Sequence, residues 1–310
     1  MAVLTPLFEP EASKPKSRLS EIGSNAVLLN NFHLSTLVLL GCTLQGLLTY
    51  SLLHHLHLPT LSLLSLLPSI CILTYRSLDV LLIMYGWRKN QYMEDIIPGR
   101  VSAQVPDEKG EFGTEPSRET VVVLFLGLRT NHPLGILSPG FNKMKDLFID
   151  MTQDMEERRE EFEFLGTTSW LSISDRTTSS ELLNIYYFRS MSGLHRFAHA
   201  KYHSRGMVWW ATNKKYHPDI SIMHETYEAR PGCWENVYVN YHRSGFASVS
   251  YPVKVPLPLT PENGNGPLAE DGGEDKKEVK METRWISPLV DASKPDMRTR
   301  VNRMGRDEKE

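Results

Sequence analysis

Hydrophobic positions are spread unevenly along this chain, and their spacing changes from stretch to stretch. Residues 35–53 carry no charge and consist mostly of Leu, Val and Thr, and residues 58–75 form a second uncharged run. Each run is close to the roughly 20 residues that a helix needs to cross a bilayer. Each is apolar around its whole circumference rather than along one stripe. Pro59 suits a first helical turn, and Pro68 is tolerated within a membrane helix. His54, His55, Leu56 and His57 leave room only for a tight turn, so the pattern predicts an antiparallel transmembrane hairpin. Residues 78–87 stay apolar apart from Asp79 and predict an interfacial segment, with Tyr85 and Trp87 at headgroup level. Residues 1–34 form a polar N-terminal segment, and the apolar run starts too late for an ordinary cleaved signal peptide.

The hydrophobic pattern then becomes that of an α+β domain over residues 119–251. Thr120 to Leu128 is a β-branched apolar run and predicts a buried strand. Phe141, Met144, Leu147, Phe148, Met151 and Met155 recur at three- and four-residue steps, the apolar face of one helix. Strands are predicted at 164–174, 181–189, 220–229 and 234–242, and a second helix at 192–210. The order β-α-β-β-α-β plus one strand is the ferredoxin-like split βαβ pattern. Residues 88–118 are polar and turn-rich, with Pro98-Gly99, Pro106, Gly110, Gly113 and Pro116, and read as a linker. Residues 252–310 are rich in Pro, Gly and charge and read as a largely disordered tail, with local docking open to Arg284-Trp285-Ile286. The basic stretch from Arg298 to Arg306 reads as a solvated end.

Charge and cysteine content narrow this picture. A formal net charge of −3 gives no basic excess for a nucleic-acid partner. Three scattered cysteines form neither a disulfide framework nor a metal knuckle, which fits a reducing compartment. Lys14, Lys16 and Arg18 precede the hairpin, Arg76, Arg88 and Lys89 follow it, and its turn has no Lys or Arg. The positive-inside bias then puts both flanks in the cytosol, with the endoplasmic reticulum as the expected membrane.

Motifs for nucleotide, zinc-protease and serine-hydrolase chemistry (GxGxxG, P-loop, HExxH, GxSxG) are absent from the sequence. Histidines and aromatic residues concentrate instead between Trp170 and His242. His195, His199 and His203 lie four residues apart and would share a face of one helix. No carboxylate accompanies them, so a metal site is not the expectation. On the strand at 220–229, alternation puts His224, Thr226 and Glu228 on one face. On the strand at 234–242 it aligns Trp234, Asn236, Tyr238 and Asn240. A sheet face with these residues fits a pocket with a few convergent polar groups, although a hydrogen-bonded interface would use the same residues.

Several of these stretches resemble one family. They are Val121 to Arg129, Tyr187-Phe188-Arg189-Ser190, Leu194 to His199, Trp209-Trp210, His224 to Glu228 and Trp234 to Asn240. Together they are similar to a fungal monooxygenase family of fumagillin-type secondary-metabolite clusters, related to antibiotic-biosynthesis monooxygenases. The resemblance covers residues 119–242. It implies a ferredoxin-like domain, often paired as a dimeric α+β barrel, that oxygenates a polyketide or terpenoid intermediate. The wider group commonly works without flavin, haem or metal, with molecular oxygen as co-substrate; haem is the alternative. On this reading His224 is the candidate base, and Asn240 and Tyr238 orient an oxyanion. Trp210, Trp234, His199 and Arg129 contact substrate. A non-oxidative cyclase, isomerase or dehydratase would need the same residue types, and a non-catalytic membrane scaffold for pathway enzymes would need none of them. The expected partners are an apolar small molecule, the membrane and a second copy of the chain.

Overall fold

The computed structural model describes residues 4–15, 27, 29–107, 109–172, 181–256 and 281–306. Two long apolar helical legs come first. Helix α1 (Leu34–Tyr50) continues through a π-turn at Ser51–His55, and α2 (Pro59–Leu64) with α3 (Leu67–Met84) makes the second leg. The legs, Leu34–His55 and Pro59–Met84, are long and apolar enough to cross a membrane, by length and composition. No residue of α1 or α3 is buried. Gln45 Nε2 donates to Ser65 Oγ at 2.9 Å and ties the legs together. The separate interfacial segment is not there: α3 runs unbroken to Met84 and carries Arg76 and Asp79 within it. Nothing in residues 76–84 breaks a helix, and the first residue to do so is Gly86, at φ +73°. Asp79 pairs with Arg88 just beyond the helix end.

The stretch read as a linker contains strand β1 (Ile96–Ala103). Its Pro98-Gly99 pair is a bulge rather than a turn. The register passes from Ile97↔Tyr241 to Arg100↔Val239, one extra residue on the β1 side, with Gly99 at φ +85°.

The central sheet is built as the apolar pattern predicts. Its elements are β2 (Val121–Thr130), α4 (Phe141–Glu157), the short α5 (Arg159–Phe162), β3 (Phe164–Leu171), β4 (Glu181–Phe188), α6 (Met191–Ala198), α7 (Lys201–Asn213) and β5 (Ile220–Ala229). The strand order is β3-β4-β2-β5, antiparallel throughout, the order of a ferredoxin-like sheet. Val122, Leu124 and Leu128 face one side and pack with Phe141, Met144, Leu147, Leu194 and Phe197 of the helices. Residues 173–174 of the predicted second strand lie outside the described residues.

The fifth predicted strand does not join this sheet. It is β6 (Tyr238–His242), and it pairs with one edge of β1 in a second sheet, whose other edge is taken by Leu289–Asp291. The disordered tail also needs correction. Strands β7 (Tyr251–Pro256) and β8 (Met281–Ile286) form a ribbon, and β9 (Leu289–Asp291) and α8 (Arg300–Arg303) follow. Residues 257–280 of that tail lie outside the described residues. Leu289, Val290, Ala292 and Met297 are fully buried, so the tail does have apolar side chains to offset its ordering. Trp285 does dock locally, bridging to Glu11 of the N-terminal segment, while Pro6 bridges to Val290. The basic end is not wholly solvated: Arg303 is buried, donates from Nε to Glu235 at 2.8 Å and reaches the Met297 and Arg298 carbonyls. This second layer closes over Val121 and Tyr187 on the far face of the central sheet with Phe246, Tyr251 and Ile286.

Candidate active site

Antiparallel register brings Leu124 beside Thr226, Leu126 beside His224 and Leu128 beside Ile222. All six point to the helix face, because alternate residues of β2 and β5 share a side. Helices α4, α6 and α7 cover that face without filling it. They leave a cleft of about 590 Å3, within the range of small-molecule sites. Its walls are apolar, with Phe148, Met151, Met207 and Trp210 among them, and its polar groups are His195, His203, His224 and Thr226. Because β5 is an edge strand, His224 and Thr226 stay exposed and keep the cleft open to solvent. Thioether side chains such as Met144, Met151 and Met207 can repack around differently shaped apolar guests.

The helix predicted at 192–210 is two helices. Ala200 is extended (φ −72°, ψ 160°) between α6 and α7 and is buried. The break means that His195, His199 and His203 do not share one helical face. His195 and His203 line the cleft, whereas His199 caps α6 and is exposed beside it. The same break puts His203 Nδ1 2.7 Å from the Ala198 carbonyl oxygen. A carbonyl can only accept, so Nδ1 carries the proton, and Nε2 keeps its lone pair in the neutral ring. Burial pushes the His203 pKa below the ordinary histidine value; the Ala198 hydrogen bond opposes the shift, and the nearby His199 and His224 add to it. The cleft therefore holds a half-buried imidazole, kept neutral and with a fixed tautomer.

The other residues singled out in the sequence are not gathered here. His224 and Trp210 line the cleft as expected. Asn240 sits in the second sheet at φ +48°, where its Oδ1 accepts from the Gly99 N–H at 2.9 Å and closes the β1 bulge. Tyr238 is packed in the second layer, with its hydroxyl accepting from the Ala247 N–H at 3.2 Å. Trp234 donates from Nε1 to the Glu119 carbonyl at 2.7 Å and packs edge-on against Phe246. Asn236 pairs with both backbone groups of Ala103. Arg129 alternates to the far face and pairs with Glu181 at 3.0 Å. His203 is the cleft histidine that the sequence does not single out as a candidate base. Its helical spacing from His195 was visible, but the helix break that orients it has no strong sequence signal.

Among the described residues, no group of three or more His, Cys, Asp and Glu is placed to hold a metal ion. A second opening, of about 520 Å3, lies between the N-terminal segment and the start of β1. Its charged groups are Glu11 and Arg243, which pair with each other at 3.6 Å, and Asp95.

Comparison with known proteins bears out the resemblance read from the sequence. Residues 121–246 match the family model Monooxygenase af470-like. Monooxygenase af470 of Aspergillus fumigatus is 29% identical over 307 residues, which span 98% of each chain. The chain is thus related to a monooxygenase over nearly its whole length, the hairpin and tail included. Among solved structures, SnoaB of Streptomyces nogalater, a cofactor-independent oxygenase, is similar at 12% identity and a TM-score of 0.24, over 34% of this chain and 90% of that one. The aldoxime dehydratase OxdRE, in complex with butyraldoxime, is similar at 15% identity and a TM-score of 0.27, over 46% of this chain and 34% of that one. Similarity this distant says nothing about the reaction.

Proposed function

From the match of residues 121–246 to the Monooxygenase af470-like family model, we infer that this chain oxygenates an apolar, electron-rich small molecule in the histidine cleft. Molecular oxygen is the co-substrate and no organic cofactor takes part. The observation that carries this reading is the neutral, tautomer-fixed His203 in an apolar cleft beside His224. His203 Nε2 removes a proton from an activated carbon of the substrate. The carbanion gives its electrons to oxygen and a C–O bond forms. Loss of water from the resulting hydroperoxide leaves a carbonyl, so a CH2 group and O2 become C=O and H2O. His224 and Thr226 are placed to hydrogen-bond the developing oxyanion. Trp210 and the methionines line the apolar side of the cleft, against which such a substrate packs.

A polyketide or terpenoid intermediate fits the chemistry of these walls. The two apolar legs support a membrane anchor with the cleft domain on the cytosolic side, where such a molecule would partition. Their Gln45–Ser65 hydrogen bond is of a kind that helps hold helices together in lipid. Exposed Trp170, Met223 and Tyr227 on the far face of the central sheet support pairing with a second copy of the chain.

The test starts from the metabolite that accumulates when the chain is deleted from its producing cell. Supplied to the purified protein, it should take up one oxygen atom from labelled O2 and fail to turn over without oxygen. Equal turnover with and without oxygen would sink the monooxygenase reading and favour a non-oxidative reaction in the same cleft. A Soret band on adding haem to the protein would overturn the cofactor-independent part alone.

A further inference from the structure

One end of the cleft domain carries surface residues that neither the fold nor the cleft uses. Three pieces of chain meet there. The first is the segment leading into α1. Asn31 is 1% exposed, accepts from the Ile136 N–H at 2.8 Å and donates to the Leu134 carbonyl at 3.3 Å. The second is the loop between β2 and α4. Gly135 packs against Asn31 so closely that a Cβ there would lie 1.8 Å from Oδ1. On either side of Gly135, Leu134 and Leu137 are 54% and 57% exposed. The third is the end of α7. His217 packs against Gly140 and stacks on Trp209, and the Asn131 N–H donates to the Asp219 carbonyl. Those contacts place exposed Lys214, Lys215 and Tyr216 beside the leucine loop, with Lys215 Nζ 4.7 Å from the centre of the Tyr216 ring. Exposed Lys143 lies in the first turn of α4 at the same end. Lys143, Lys214 and Lys215 make no ion pair among the described residues.

The combination is two leucines, one tyrosine and a set of lysines, locked to the chain three residues before the first apolar leg begins at Leu34. We propose that this end of the domain docks on the bilayer that the hairpin enters. Leu134 and Leu137 sit in the headgroup region, Tyr216 at its edge, and the lysines against anionic headgroups. Asn31 works as a rigid joint: it fixes the leucine loop to the base of α1, so the domain cannot swing freely on its anchor. The N-terminal end of α4 and the C-terminal end of α7 then face the lipid. These two helices wall the cleft.

The proposal rests on the membrane anchor, and the test separates the two. The full chain is placed in vesicles of phosphatidylcholine and phosphatidylserine with a spin-labelled lipid as quencher. A fluorophore is attached at one cysteine at a time, the others being changed to Ser. Native Cys42 in α1 reports the anchor, Leu137→Cys reports docking, and Glu160→Cys, beyond the far end of α4, serves as control. The expected result is strong quenching at 42 and 137 and none at 160. Lys214→Glu with Lys215→Glu should remove most quenching at 137 and leave 42 unchanged. Quenching at 42 without quenching at 137 overturns the docking and spares the anchor. Loss of quenching at 42 removes the anchor and the docking with it. Full quenching at 137 after the charge reversal, or quenching at 160 equal to that at 137, also overturns the proposal.

Discussion

Alternate residues of the same four strands make the two faces of the central sheet, and the faces differ in kind. The helix face is lined with Leu, Phe and Met, yet it holds a cleft with three histidines. The far face, where the second layer covers it, is filled by Phe, Tyr and Val. Burial pushes the Tyr238 hydroxyl up to about 12, and its oxygen accepts the Ala247 N–H. Apolar character alone therefore does not mark the site. In the proposed function what distinguishes it is His203, held in one tautomer at the cleft wall, whereas the second-layer residues Asn240, Asn236 and Trp234 are spent on holding the backbone.

Four measurements would break or sharpen this contrast. The largest effect is expected from His203→Gln, which keeps a donor for the Ala198 carbonyl but has no basic nitrogen. Turnover should fall by roughly 10²–10⁴-fold, the usual share of a general base, with the unfolding midpoint close to that of the unaltered chain. A wild-type rate would move the chemistry off His203. Next is Leu289→Ala on the filled side, where a fully buried leucine leaves a cavity. Denaturant unfolding should show a loss of about 2–5 kcal/mol, while turnover per folded molecule is retained. A fall in specific activity would mean the two faces are coupled.

Third is the pH dependence. His203 binds a proton less readily folded than unfolded, so the unfolded chain takes up more protons near the ordinary histidine value of ~6.5. Its contribution to stability is complete above that value and is lost as the pH falls through it towards the lowered folded value. Turnover should persist below the ordinary value for the same reason. Unfolding curves across this range should flatten in His203→Gln, and an unchanged slope would place the titrating group elsewhere. The smallest effect belongs to Asn240→Ala. It removes one hydrogen bond at an exposed bulge, worth ~1 kcal/mol, and turnover should not change.

The central sheet was legible because its signals are local. The strand 220–229 and the helix face from Phe141 to Met155 each declare their period within a dozen residues. The second layer was not, because its strands are short and their partners distant: Val101 of β1 pairs with Tyr238 on one side and Asp291 on the other. Pro98-Gly99 reads locally as a turn, although a Pro-Gly pair inside a strand is also the mark of a bulge. Assigning 234–242 to the central sheet then moved Trp234, Tyr238 and Asn240 into a pocket they do not line. His224 and Trp210 do line the cleft, because strand alternation and proximity in sequence are enough to place them.

The bridges Pro6↔Val290 and Glu11↔Trp285 join nearly the first described residues to nearly the last. They set an order of events during synthesis. The N-terminal segment leaves the ribosome first and the apolar legs follow, while the rest of the chain is still being made. The helix-covered sheet can assemble next from neighbouring segments. The N-terminal segment, however, must wait without its partners until residues 285–290 emerge, and only then can the second layer close. Until then the nascent chain exposes Leu4, Ile97 and Val101, so the second layer is the last part of the fold to close.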